Sequence, residues 1–250
     1  GRFATVGKVE VMLGRWADSD RNLTGAIERE PLNFIDRFWL GGTLVGLGQY
    51  ERLAEIGTNG FRAVALSRLG RTEEALMLAA GEANQGGDIP RYFQVLVENQ
   101  RYDELISFLE SRWPDLAAFE ADWPSGDGFG AGLLGFIAQS YAHLDNDEKF
   151  NEVMSRFQTS LDQQVENGAD NWVLTWSSAH FALLAGDPQG AIALLGKAAE
   201  QGAIIDSGLT GSWSVFNSLR GDPAFEAVKT RMLQHLNEER ASLGLEPVSA

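Results

Sequence analysis

The stretch LLAGDPQGAIALLGKAAEQGA, residues 183 to 203, sets a glycine, an aspartate and a proline in a row, then places Ala191 five residues and Ala198 twelve residues beyond Gly186. The arrangement returns along the chain. In MLGRWADSDRNLTGAIEREP, Ala26 lies twelve residues beyond Gly14 and Pro31 seventeen beyond it. Gly48 follows Gly14 by 34 residues, Gly41 follows Gly7 by 34, and Ala75 stands five beyond Gly70. LVENQRYDELISFLE carries Leu105 in the alanine slot, YAHLDNDEKFNEVMSRF carries Phe150 there, and SLRGDPAFEAVKTRML is a last variant. Turn positions therefore fall at 14, 48, 70, 100, 145, 186 and 221, with spacings of 34, 22, 30, 45, 41 and 35. A period near 34 with helical patterning marks an array of stacked helix pairs.

Each recurring residue has a physical reason. Two antiparallel helices about 10 Å apart need small side chains where their backbones come closest, so Ala75, Ala191 and Ala198 act as packing notches. A turn glycine supplies the left-handed backbone that closes a helix. In GDPQGA and GDPAFE the aspartate caps the next helix, and proline at its first position loses no hydrogen bond. Leu76, Leu78, Met154, Phe157, Ile192 and Leu195 recur at helical spacing, giving each hairpin an apolar face that only a neighbouring hairpin covers. No stretch alternates with period two over five residues, so strands are not expected.

These residues resemble the tetratricopeptide repeat family, and the resemblance spans essentially the whole chain. That family has a small residue in its first helix, a large apolar residue three later, a glycine at the turn, alanines on the second helix and a closing proline. Ala179, Ala182, Gly186, Ala191 and Ala198 supply this pattern in the sixth repeat; Phe93, Leu96, Tyr102 and Leu105 supply it in the fourth. Glu10 departs from it by occupying an apolar slot, and the second helix after Tyr50 is cut short before Gly57. The ending LRGDPAFEAVKTRMLQHLNEERASLGLEP is also similar, more loosely, to closing helices in the repeat regions of bacterial winged-helix regulators and nucleotide cyclases. The resemblance implies an all-α right-handed superhelix, a solenoid of about seven helix-turn-helix repeats ending in a capping helix.

We divide the chain into repeats one to four over residues 1–112, a long connection over 113–132 where Pro114, Pro124 and glycines interrupt the periodicity, and repeats five to seven over 133–250. The tail after Gly244 is expected to fray. The sequence begins GRFATVGKVE, without Met or a charged-then-apolar leader, and we read it as a piece of a longer chain.

In the resembled family the first helix of each repeat lines a concave groove that holds a peptide or a partner helix. Carried over position by position, the groove residues are Phe38 on the second repeat, Ser67 and Arg68 on the third, and Gln94 and Glu98 on the fourth. Gln139 and His143 follow on the fifth, and Trp176 and His180 on the sixth. Their mixture of polar and aromatic groups suits a peptide backbone with one or two aromatic anchors. Cationic residues are scarce among them, which weakens a clamp for acidic C-termini.

Charge narrows the partners. Asp and Glu number 35 against 20 Lys and Arg, a formal charge of -15 that repels nucleic acid and anionic membrane. Between Trp113 and Gly196 twelve acids face only Lys149 and Arg156, either a solvated face or an attraction for a basic protein or peptide. No apolar run reaches the roughly 18 residues of a membrane span. The absence of cysteine removes thiolate metal sites and disulfides, and fits cytoplasm or periplasm equally.

Signatures of chemistry are weak. SGDGFGAGLLG lacks the strand and the lysine of a phosphate loop and reads as a flexible connection. His143, His180 and His235 have no metal-ligand spacing, and DNDEKF lacks the glycine and distal glutamate of a calcium loop. The expectation is a noncovalent binding or sensing scaffold without cofactor or metal. The alternative is a carbohydrate-active or ligand-sensing domain built on Trp123, Trp172, Trp176 and Trp213 with Asp122 and Asp170, since a glycosidase needs two carboxylates across a pocket. Self-association into a homodimer is a third.

Overall fold

The computed structural model describes residues 2–123, 129–205 and 213–249, and every regular element among them is helical. In chain order these are α1 (Arg2–Met12), α2 (Trp16–Arg29), α3 (Phe34–Gly46), α4 (Tyr50–Ile56), α5 (Asn59–Arg68), α6 (Thr72–Asn84), α7 (Ile89–Glu98) and α8 (Tyr102–Arg112). They continue with α9 (Leu116–Asp122), α10 (Phe129–His143), α11 (Asp147–Glu166), α12 (Trp172–Leu184), α13 (Pro188–Glu200), a 3₁₀ helix (Trp213–Leu219) and α14 (Pro223–Ser242).

All seven turn positions identified from spacing have a left-handed backbone, including the two that are not glycine, Gln100 at φ 57° and Asp145 at φ 52°. At the first six of them the residue after the turn donates back five positions, as in Arg15 N to Glu10 O at 2.8 Å, Arg101 N to Leu96 O at 2.8 Å and Asp187 N to Ala182 O at 2.9 Å, whereas after Gly221 Asp222 N donates to Leu219 O at 3.1 Å. Helix starts are equally specified. Asp187 Oδ1 accepts from Gly190 N at 2.8 Å, and Asp222 Oδ1 accepts from Ala224 N at 2.8 Å. The alanine slots are packed shut, with Ala75, Ala191 and Ala198 fully buried. Glu10, in its apolar slot, is matched by Asn22, whose amide donates to both carboxylate oxygens.

Hairpins pack in sequence order, and the first helices α1, α3, α5, α7, α10 and α12 each touch the next. Early and late elements also meet. Trp172 Nε1 donates to Val11 O at 2.9 Å, Trp16 Nε1 donates to Gly202 O at 3.0 Å, and Glu239 on α14 accepts from Ala17 N at 2.6 Å. The backbones of Gly14 and Gly202 touch so closely that a Cβ on Gly14 would lie 2.5 Å from Gly202 Cα. The first and last hairpins thus share a seam.

Three expectations change. The connection over 113–132 contains α9 and the start of α10: Asp115 caps Ala118 N at 2.8 Å, and Leu116 and Phe119 are spaced to bury one face. Phe119 stacks on Phe93 at 6.4 Å, and α10 packs on α7 and α8, so the two blocks of repeats are continuous. The glycine-rich stretch is helical from Phe129 onward, and Gly135 lies against the His180 ring; residues 124–128 lie outside the described residues. The tail is strapped down, since Asn237 Nδ2 donates to Val248 O at 3.0 Å and Val248 N donates to Asn237 Oδ1 at 2.8 Å.

Candidate functional site

The starts of several first helices lie around one space. There a cavity of about 530 Å³ opens between the starts of α3, α5, α7 and α10. Phe34, Phe38, Pro90 and Trp123 form apolar walls, while Thr58, Glu82, Asp88 and Arg91 supply the polar groups. Gly60, Gly86, Gly87 and Gly130 complete the lining. The volume falls in the range of small-molecule and side-chain pockets.

GGDIPRYF explains the floor. Asp88 caps α7, accepting from Arg91 N at 3.4 Å, and Pro90 occupies the first turn. Gly60 is required beside it, because a Cβ there would meet Asp88 Oδ2 at 2.3 Å. Burial pushes the Asp88 carboxyl up; Arg91, through its charge and its backbone N–H, pulls it partly back, and the charge of Glu82 raises it further.

Arg91 is only 2% exposed, and burial draws its guanidinium below the usual arginine value. The group turns inward, away from the mouth. Its charged centre lies 4.5 Å from the Phe61 ring centroid, and Nη1 donates to Gln94 Oε1 at 2.6 Å. Gln94 Nε2 in turn donates to Glu98 Oε1 at 2.9 Å, and Arg68 Nη2 reaches the same oxygen at 2.8 Å. A polar ladder of Asp88, Arg91, Gln94 and Glu98, buried at its two middle members, therefore runs along α7 and ends on Arg68 of α5.

The residues expected in an open groove are distributed as follows. Phe38 lines the cavity. Arg68, Gln94 and Glu98 belong to the ladder below it. Ser67 Oγ accepts from Asn99 Nδ2 at 3.0 Å, and His143 stacks on Tyr102 with centroids 4.1 Å apart. Gln139, Trp176 and His180 are buried in the interior. The 3₁₀ helix packs against two of them: its Phe216 ring lies 5.3 Å from Trp176 and 6.1 Å from His180. Burial lowers the His180 pKa to about 4, and its Nε2 makes no hydrogen bond.

Of the residues singled out for carbohydrate chemistry, only Trp123 lines the cavity. Trp172 is buried against Trp16, and Trp176 and Trp213 face each other at 5.5 Å. Asp122 accepts from Trp113 Nε1 at 2.8 Å, and Asp170 is an exposed acceptor for Gln201 at 2.9 Å. Sequence reasoning passed over Phe34, Thr58, Glu82, Asp88 and Arg91. Asp88 caps α7 as Asp187 and Asp222 cap their helices, but nothing in one sequence showed that four helix starts converge. No protein-family model, curated protein or solved structure matches this chain.

Proposed function

We propose that the chain is a noncovalent binding module that receives a segment of another protein at the N-terminal end of its inner helices. The tetratricopeptide likeness supports this reading, in which the array is a right-handed superhelix of about seven hairpins with α14 as its cap. The observation that carries the proposal is the apolar mouth of the cavity. Phe34 is 63% exposed while also lining the cavity, and its neighbours Leu32 and Ile35 are 95% and 61% exposed. An exposed phenylalanine in a cavity wall, with exposed Leu32 and Ile35 beside it in sequence, is characteristic of a surface that a partner covers. Asp88 and Arg91 are engaged in capping and in the ladder, which favours binding over turnover.

The test is a selection from a random peptide-display library on the immobilised full chain, with the selected peptides remeasured on Phe34→Ala. Because Phe34 is exposed, its truncation leaves the core intact. Peptides that lose about tenfold or more in affinity on the variant are expected. Failure to select any peptide, or equal binding to both proteins, overturns the proposal.

A further inference from the structure

The geometry points to a cationic side chain, a lysine or arginine of the partner segment, as the group the cavity selects. This rests on the reading of the cavity as the place where a partner segment docks. Its alkyl stem lies along Phe34, Phe38 and Trp123, and its charge is met by Glu82 and Asp88.

Three observations carry the assignment. Aromatic and apolar walls surround a space large enough for a long side chain, and aromatic faces attract cations more strongly once water is excluded. The two carboxylates are half-buried, whereas Arg91 is deeply buried with its guanidinium over Phe61 and its Nη1 on Gln94. Of the charged side chains lining the cavity, the two carboxylates are therefore the nearer to solvent, and Arg112 beside Gly86 is held at the rim by its bond to Ala83 O.

Glu82 is held in place for this. Its Oε2 accepts from Asn59 Nδ2 at 2.9 Å, and its Oε1 lies where only a glycine at position 87 leaves room, since a Cβ there would be 2.6 Å away. The Glu82 charge contributes to the upward push on the Asp88 carboxyl, a repulsion that a cation between them relieves. The net charge of -15 adds long-range attraction for a basic segment.

The experiment uses the peptides selected on the full chain, resynthesised with each basic residue replaced by norleucine, and measured by calorimetry on wild-type protein and on Glu82→Gln. Circular dichroism melts verify that the variant is folded. The expected result is a shared lysine or arginine among Phe34-dependent peptides, a loss of about tenfold on the norleucine change, and a loss of at least about threefold on Glu82→Gln. Phe34-dependent peptides without a common basic residue, norleucine versions binding within about twofold, or unchanged binding to Glu82→Gln each overturn the cation assignment and leave the docking reading standing. Absence of any Phe34-dependent peptide overturns both.

Discussion

The indole rings of Trp16 and Trp172 lie 5.5 Å apart, and each donates its N–H to a backbone carbonyl across the seam between the beginning and end of the array. Both side chains are fully buried. Trp16→Ala is expected to lower stability by about 3 to 5 kcal/mol in urea unfolding. Trp16→Phe keeps most of the apolar contact but strands the Gly202 carbonyl, for a loss of about 1 to 3 kcal/mol.

Gly14 and Gly70 separate two effects that turn glycines usually mix. Both have a left-handed backbone, but a Cβ on Gly70 meets nothing within 4 Å, whereas one on Gly14 strikes Gly202. Gly70→Ala is expected to cost about 1 kcal/mol from backbone strain alone, and Gly14→Ala more than about 2 kcal/mol. Thermal melts of the two variants side by side measure the difference.

This contrast also shows how much a single sequence discloses. The turns at Gly70 and Gly186 are governed by a few neighbouring residues, so spacing located them, and Asp187 with Pro188 announced the helix that follows. The partner of Trp16 at residue 202 lies 186 positions away, a contact that no local pattern encodes. Long-range packing likewise decides that Trp176 and His180 meet Phe216, and that Phe38 joins Asp88 and Arg91 around one cavity. Leu116 and Phe119 were obscured by prolines and glycines on either side.

His180 makes stability depend on pH. Its pKa is about 4 in the fold and 6.5 as the ordinary value, so between these the unfolded chain binds the additional proton. Stability from this group is fully present above the ordinary value and is lost as pH falls from about 6.5 toward 4, by roughly 3 kcal/mol. Urea midpoints taken across that window are expected to decline less steeply for His180→Gln.

The ladder on α7 is expected to behave as a unit. Gln94→Leu removes the acceptor of Arg91 Nη1 and a donor to Glu98, costing about 1 to 3 kcal/mol. Adding Arg91→Met removes the buried charge as well, so the double variant is expected to be more stable than the sum of the single losses predicts. A double-mutant cycle by chemical denaturation provides the comparison.

The Trp16 to Gly202 hydrogen bond joins residues 186 positions apart. During synthesis the early hairpins emerge and pair while the surface that will shelter Trp16 has yet to be made, so a large indole waits in water while the intervening residues are added. Production of the protein should therefore depend on chaperone supply and elongation speed more than its simple hairpin connectivity suggests.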